Sequence, residues 1–507
     1  MDFSTDAQAS VIAILPEILM VALAVVVLAL DLVWRRAQRH DIGYVAGFGL
    51  LGIAAIVFLV GIPPQSGELG DQLLLGGMVR HDDMAQIFRV MVLLAGGIGA
   101  LITMGIPRLR ARGDFYAILI VSLIGASLAS AAADLIMVFL ALETLSITLY
   151  VLAGYLRDDD ASTEAGLKYF LFGAFASAMT LYGLSLVYGL TGKTNIYELG
   201  RLVATNGLNE PPVIVALGLV MVGFAFKISA VPFHFWTPDV YEGAPTSITA
   251  VLSTASKAAG IGLLLRFLLA VFPPAELLGA AESVVDYSGL WVQLAVVLSV
   301  VSMTLGNLLA LVQGNIKRLL AYSTIAHAGY VLMGVAAIST DKSGDGAAAV
   351  AFYMFMYVLS NMLAFAVVIL FTRATGSEQI RDLAGFSRRS PWLGLAMTLA
   401  LLSLAGIPPA AGFIGKFLLF RAAVDAGLVW LALVAVANVI VGLYYYLIIV
   451  KVMYMEDSPS EEPVPVELPF KWALAISAAG VLLFGTILVT PLLNWATDAA
   501  HALYVLL

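Results

Sequence analysis

The stretch GFAFKISAVPFHFWTPDVYEGAPTS, residues 223–247, begins as an apolar helix and then carries Lys227, Pro232, His234, Pro238 and Asp239. An amine in an apolar run has one chemistry to offer, the gain and loss of a proton. An uncompensated charge near a bilayer centre costs roughly 2.5 to 3.5 kcal/mol on insertion scales, so a lysine kept there is a functional candidate by default. Five more basic residues share the setting: Arg89, Lys168, Lys257, Arg266 and Lys416 lie inside apolar runs, whereas the other twenty of the 26 Lys and Arg fall between runs. Arg89 and Arg266 lie within two turns of a run's end, where a long side chain can snorkel to the interface, and a structural role is expected for both. Lys168 sits near the start of its run, in GLKYFLFGAF, and its depth alone leaves its role open. Lys227, Lys257 and Lys416 are deeper. Their plain alternative is a structural ion pair between helices, which is compatible with proton transfer because a relay also needs pairing.

Acidic partners are scarcer. Glu143, in MVFLALETLSITLY, is the acid found at comparable depth between the second apolar run and the last. Set beside Lys227, it would oppose pairing to burial, and that competition makes a protonation equilibrium switchable when the two groups move apart. Histidine suits relays because imidazole titrates near neutrality. His327, in AYSTIAHAGY, lies one turn from Ser323 and Thr324, and His234 sits just past Pro232. Polar packing is the plain alternative for each. Two histidines could also ligate a haem, but such a site needs pairs on facing helices, and these two are the candidates available.

The elements that position these groups follow from composition. Hydrophobic residues make up 61% of the 507-residue chain and charged residues 12%, with a mean hydropathy of +0.98, far outside the range of water-soluble domains. There is no cysteine, which excludes disulfides, zinc ribbons and thiolate-ligated iron–sulfur clusters. The net charge of −8 is spread over loops without a basic run of the nucleic-acid-binding kind. Apolar windows of roughly 20 residues, long enough to cross a hydrocarbon core, recur fourteen times: 11–34, 43–62, 82–105, 115–133, 134–155, 163–190, 212–236, 246–272, 290–312, 316–338, 346–372, 391–421, 428–454 and 471–497. Runs of this length must satisfy their own backbone, so they are helices rather than barrel strands. The boundary at 133/134, within AAADL, is the least marked.

The first span follows the acidic MDFSTD and precedes RRAQRH, the reverse of a secretory signal. An anchor with its amino terminus outside is expected. Alternate loops then hold fifteen basic residues on the cytoplasmic side, Arg36 and Arg108 among them, against five outside, namely Arg80, Lys193, Arg201, Lys342 and Arg421. That asymmetry obeys the positive-inside rule and places both termini outside. The seventh span is broken by Pro232 and the twelfth by Pro408 and Pro409 in LAGIPPAAGFIGK. Broken helices at membrane depth are tolerated where the freed groups meet protein or water, so both breaks are expected to border a hydrated cavity. Their placement invites an inverted-repeat reading of spans 4–8 against 9–13, since an odd number of spans reverses orientation. Similarity between the halves is weak, and proline follows lysine in one but precedes it in the other.

FKISAVPFHFWTPDVYEGAPTSITAVLSTASKAAG, NIKRLLAYSTIAHAGY and LAGIPPAAGFIGKF closely resemble the antiporter-like membrane subunits shared by respiratory complex I and multisubunit cation/proton antiporters, over at least residues 115–454. Lysine rather than glutamate at 416 sets the chain apart from the M-type member, and fourteen spans without a long lateral helix set it apart from the L-type. Together with the VPFHFWTPDVYEGAPT wording, this points to the N-type branch. The resemblance implies an all-α integral membrane protein of about 14 helices. It divides into an N-terminal three-helix segment (1–114), two five-helix repeats (115–272 and 273–454), and a cytoplasmic loop with a last transmembrane helix (455–507). It implies proton translocation as part of an NADH:quinone oxidoreductase in the bacterial inner membrane. No cofactor is expected in this chain; NADH, FMN, iron–sulfur clusters and quinone are expected in partner subunits. Other membrane subunits, the lateral helix of subunit L and lipids are the partners it implies. Carried over residue by residue, Glu143 matches the family's fifth-helix glutamate, Lys227 its partner on the broken seventh helix, Lys257 the connecting lysine and Lys416 the lysine near the periplasmic exit. Lys168, His234, Asp239 and His327 also fall on family-motif positions. A stand-alone sodium/proton exchanger, an antiporter subunit and a passive scaffold are the rivals, and the cost of inserting deep lysines argues against the scaffold.

Overall fold

The structure, a computed structural model, describes residues 9–35, 38–60, 73–206, 210–274, 286–338, 344–458, 460 and 462–504. Arg36, Lys342 and the acidic start MDFSTD lie outside them. The amino-terminal group is α1 (Leu15–Val33), α2 (Ile42–Val60), the hairpin β1 (Leu73–Leu74) with β2 (Val79–Arg80), and α3 (Asp83–Thr103). A first unit follows: α4 (Gly113–Ala131), α5 (Leu135–Ala153), α6 (Asp160–Thr191), the amphipathic α7 (Ile196–Asn206), α8 (Glu210–Ile228), α9 (Trp236–Gly243), α10 (Thr246–Ser253) and α11 (Ala255–Val271). The second unit is α12 (Ser288–Ala310), α13 (Ile316–Ala337), α14 (Asp345–Thr375), the single turn α15 (Phe386–Arg389), α16 (Pro391–Ala405), α17 (Ala411–Asp425) and α18 (Val429–Met455). The chain ends with α19 (Leu468–Thr486) and α20 (Val489–Tyr504).

Among the described residues, thirteen helices are long and apolar enough to cross a membrane, counting α10 and α11 as one. The broken pair α16–α17 supplies the fourteenth crossing. Helix starts are set by side chains that satisfy orphan amides: Asp82, Asp134 and Asn315 accept from Ala85 N, Ile136 N and Lys317 N at 2.8 Å. The core helix is α14, apolar on every side and buried from Gly346 to Phe371, as such a helix must be. It packs against α16, α17, α19 and α20.

The two units are inverted copies, and hydrogen bonds show it. In the first, the start of α5 bridges to the segment after α6, through Leu135 N to Thr194 O at 2.8 Å and Ile196 N to Ala133 O at 3.0 Å. In the second, the start of α13 bridges to the segment after α14, through Ile316 N to Glu378 O at 2.9 Å and Ile380 N to Gly314 O at 2.8 Å. Five crossings separate the two bridges, which therefore lie at opposite faces. The preceding long helices, of 32 and 31 residues, both end on a left-handed glycine, Gly192 at φ 67° and Gly376 at φ 69°, a conformation open to glycine at little cost.

The eighth span, expected over 246–272, is one crossing with a local break at Thr254 (φ −120°, ψ −77°). Three expectations need correction. The last span does not run through 471–497: α19 stops at Thr486, and α20 packs back on α3 and α14. Arg266 does not snorkel; it is fully buried and grips Asp82 with both terminal nitrogens, at 2.6 and 2.8 Å. Arg89 is also fully buried, 3.0 Å from Glu17, whose carboxylate accepts from Ser127 at 2.6 Å. Both arginines face inward because a carboxylate waits there, which a residue's distance from a span end does not reveal.

Candidate functional site

The site is built on two helix breaks of the same form. After α8, Ser229 turns left-handed (φ 63°) and Ala230 N bonds back to Ala225 O at 2.8 Å. After α16, Gly406 turns left-handed (φ 83°) and Ile407 N bonds back to Leu402 O at 2.9 Å. Pro232 and Pro409 each follow three residues later. This register sets Lys227 opposite Leu404 and Asp239 opposite Lys416, so lysine and proline change order because the two lysines occupy different places in equivalent breaks. What the breaks do share is a carbonyl. The Lys257 amine donates to the carbonyl of Lys227 at 3.0 Å, and the Lys416 amine to the carbonyl of Leu404 at 2.8 Å and of Ala405 at 3.1 Å. Final carbonyls of a helix lack partners and carry its negative end, where a cation is favoured. The expectation that water would take up the freed groups is thus modified, since lysine amines hold these carbonyls. Lys257 also donates to Ser229 Oγ at 2.7 Å and lies 4.6 Å from the Trp236 ring centre; Lys416 lies 5.0 Å from that of Tyr330. Both are cation–π distances.

Glu143 and Lys227 line one cavity of about 20 Å³ with Ser146, Ser177 and Thr180, room for about one water. They do not touch directly. Lys227 Nζ donates to Ser146 Oγ at 3.0 Å, and Ser177 Oγ donates to Glu143 Oε1. The two serines are the hydroxyl intermediaries that the sequence reading lacked. The stem of Lys227 passes Gly260, one turn beyond Lys257 on α11, where a Cβ would come within 3.2 Å of it.

A second small cavity, about 10 Å³, joins Lys257 to Thr324, His327 and Tyr357. His327 Nδ1 is bonded to the Tyr353 hydroxyl and Nε2 lies 3.1 Å from the Tyr446 hydroxyl. Both ring nitrogens are engaged, so this histidine is not presented to a haem iron. The Tyr446 hydroxyl lies 2.5 Å from Ser323 Oγ, and the Tyr357 hydroxyl donates to Thr324 Oγ1 at 2.9 Å. Tyr353 and Tyr357 sit one turn apart on α14 in FYMFMY, a helical spacing that could have marked them.

Lys168 and Asp239 are brought together elsewhere. Lys168 is bonded to Asp239 and Glu164, both at 2.6 Å, and Arg318 to Asp239 and Glu242, both at 2.8 Å. This ionic cluster is partly open, with the Lys168 side chain 37% exposed. Burial would raise the Asp239 carboxyl, but hydrogen bonds from Lys168 and Arg318 hold it below the usual carboxylate range. His234 is buried, its ring 4.6 Å from that of Phe235 and its Nδ1 without a partner. The arrangement therefore divides the eight candidates: hydroxyls, a backbone carbonyl and small cavities connect Glu143, Lys227, Lys257 and His327, the Tyr330 ring stands between His327 and Lys416, Lys168 and Asp239 form a side cluster, and His234 stands apart.

Residues 132–442, from the end of α4 into α18, match the family described as NADH:quinone oxidoreductase/Mrp antiporter, TM. A Moorella thermoacetica protein named NADH-quinone oxidoreductase subunit N is 41% identical over 491 residues, covering 96% of this chain and 97% of its own length. A protein of the same name from Trichlorobacter lovleyi is 42% identical over 487 residues, covering 94% of each. Among solved structures, a chain of respiratory complex I from Thermus thermophilus with bound aureothin matches with a TM-score of 0.76 and 33% identity, over 94% of this chain and 98% of that one.

Proposed function

The chain belongs to the NADH:quinone oxidoreductase/Mrp antiporter transmembrane family, and from that premise we propose that it is the N-type proton-translocating subunit of a bacterial NADH:quinone oxidoreductase. It is a multi-pass membrane protein whose termini face the periplasm. Residues 1–114 form an accessory segment, 115–272 and 273–454 the two proton-handling repeats, and 455–507 the closing loop and helix. NADH, FMN, iron–sulfur clusters and quinone belong to partner subunits, and a chain without cysteine offers no thiolate for a cluster. Neighbouring antiporter-like subunits, the lateral helix of subunit L and lipids are its surroundings.

One observation carries the reading: three buried amines, each held by a carbonyl or hydroxyl, with a cavity of about one water between Glu143 and Lys227 and another between Lys257 and His327. Such a set binds and passes protons. It offers one carboxylate, Glu143, against three amines, a poor set of ligands for sodium, which favours the proton over the antiporter and sodium-exchange readings. Quinone reduction in the partners sends a conformational or electrostatic signal that parts Glu143 from Lys227. The Lys227 proton then passes by Lys257 and the His327–tyrosine cluster to Lys416 and the periplasm. Like charges along this route repel, so occupancy of one amine biases the next.

Replacing Lys227 with alanine should abolish NADH-driven acidification of inverted membrane vesicles while the complex assembles at close to its normal amount. Normal pumping by an assembled complex lacking that amine would overturn the assignment.

A further inference from the structure

An open groove of about 1100 Å³ lies between α4, α5 and α6, polar where Arg108, Arg112 and Arg157 line it and apolar along Ile147, Val151, Leu167 and Phe170. By the charge asymmetry of the loops, its polar part lies at the cytoplasmic face. Tyr150 lies at its inner wall. It sits on the α5 face that also carries Glu143 and Ser146, at the spacing of successive turns. Its ring is wedged against Tyr169, with centroids 4.6 Å apart and edge to face, and against Phe170 at 6.0 Å. Its hydroxyl is buried and makes no hydrogen bond of good geometry, which is uncommon for such a group. Flanking that hydroxyl are Ser146 and Ser177. Ser146 receives the hydrogen bond of Lys227, and Ser177 donates to Glu143.

Gly173 on α6 makes room for the arrangement: a Cβ there would overlap the Tyr150 hydroxyl oxygen. A phenylalanine at 150 would fill the same space with no buried hydroxyl to satisfy; Gly173 is needed by the ring as well as by its hydroxyl, since a Cβ there would also overlap the ring carbon Cζ. The polar oxygen and the two serines beside it converge on one point between the open groove and the small cavity that holds Glu143 and Lys227.

We infer that Tyr150 is the proton-carrying residue through which the cytoplasmic groove feeds the Glu143–Lys227 site. The inference rests on the reading that this pair handles the transported proton. When a water from the groove is admitted to the buried Tyr150 oxygen, its proton adds there as the original hydroxyl proton leaves for the oxygen of Ser146 or Ser177. The serine passes its own proton on in the same way, and rotation about the Tyr150 Cζ–Oη bond restores the starting state. No electron or heavy atom is transferred.

The experiment compares Tyr150→Phe, Gly173→Ala, Lys227→Ala and the control Tyr188→Phe in the whole complex. The Tyr188 ring is exposed and away from these groups. NADH-driven acidification of inverted vesicles is followed against the pH of the cytoplasmic-side medium, with the amount of assembled complex measured in parallel. Tyr150→Phe should assemble normally and pump at least tenfold more slowly, at a rate that becomes proportional to the external proton concentration; Gly173→Ala, whose Cβ would displace the ring together with its hydroxyl, should slow pumping as well. Tyr188→Phe should match the unaltered protein in rate and profile. If Tyr150→Phe pumps at the normal rate while Lys227→Ala is dead, the inference falls and the proposed function stands. A slow Tyr150→Phe with an unaltered pH profile also overturns it, because a packing role would do that. If Lys227→Ala pumps normally, both fall together.

Discussion

Replacing Asp82 with alanine should destabilise the protein more than any other single change in its charged groups. The carboxylate is fully buried and lies 2.9 Å from Arg80 Nε, and 2.6 and 2.8 Å from the two terminal nitrogens of Arg266. It also accepts from Ala85 N at 2.8 Å, capping α3. Burial would raise this carboxyl, but the two guanidiniums hold it well below the usual range. Removing one member of a buried ion pair costs about 3 to 5 kcal/mol because the other is left unpaired. A lost cap adds about 1 kcal/mol. The arginines keep some partners, since Arg266 donates to Ser130 O at 3.1 Å and Arg80 to the Tyr197 hydroxyl at 2.8 Å, so the lower part of the range applies and the expected loss is about 4 kcal/mol. Asp239→Ala, in the partly open cluster, should cost under about 1 kcal/mol. Thermal unfolding of the purified complex, read by tryptophan fluorescence, with the amount assembled in membranes, measures both. A triple change of Arg80, Asp82 and Arg266 to apolar residues of similar volume should recover most of the loss, since no charge is then stranded. Asp82→Ala unfolding within about 1 kcal/mol of the unaltered protein would refute the reasoning.

At the first break, Ser229→Ala removes the oxygen bonded to Lys257 at 2.7 Å and should cost about 1.5 to 3 kcal/mol. Ser229→Gly loses the same bond but relieves the left-handed backbone at φ 63°, so it should melt later, by about 1 kcal/mol in stability. Ser146→Ala strips Lys227 of its acceptor, and a hydrogen bond to a charged group of about 1.5 to 3 kcal/mol predicts pumping slowed by roughly tenfold or more, with NADH oxidation by an artificial electron acceptor unchanged. His81, just before α3, is lowered from 6.5 to about 4 by burial and then by the Arg89 guanidinium. Its neutral form is the one the fold retains, and the unfolded chain binds the proton first as pH falls. Stability should therefore drop by at most roughly 3 kcal/mol between pH 6.5 and about 4. His81→Gln should remove that slope, and an unchanged slope would show that the imidazole is not its source.

Much of this architecture could be read in advance, and the reason is the solvent. A bilayer demands long, uninterrupted apolar helices and charges every deviation, so the fourteen crossings and the prolines at 232, 408 and 409 stand out against their surroundings. The deep lysines stand out for the same reason. What stayed hidden were groups that are ordinary residues until the fold brings them together. Ser146 and Ser177 are unremarkable in any helix, and their role depends on α5 and α6 facing Lys227 on α8. Glu17 and Arg89 lie in different helices of the amino-terminal group, and Arg89 near the end of its span reads as a snorkelling side chain. Tyr353, Tyr357 and Tyr446 converge on His327 from α14 and α18. One signal was present and legible: Thr191-Gly192-Lys193-Thr194-Asn195-Ile196 and Thr375-Gly376-Ser377-Glu378-Gln379-Ile380 follow the same pattern. They are the equivalent glycine caps and bridges of the two units.

The weak likeness between the halves then has a physical explanation. Backbone geometry is repeated faithfully, down to which residue turns left-handed and which amide bonds back five residues. The side chains that serve it are not. The carbonyl freed at 227 is met by an amine reaching across from α11, and the one freed at 404 by an amine from the next segment of the same span. A helix end needs a positive charge within reach, and it is indifferent to which element supplies it. Lys257 and Lys416 are therefore equivalent by what they touch, though not by register. The two inverted units preserve those contacts while the residue positions drift. The Leu404 carbonyl supplies a direct check. Lys416→Met should leave that helix end uncapped and Lys416→Arg should restore the cap without restoring transfer, since a guanidinium stays charged. Recovery of thermal stability without recovery of pumping in Lys416→Arg would separate the two duties of this amine. Recovery of pumping as well would mean that the amine caps the helix and carries no proton.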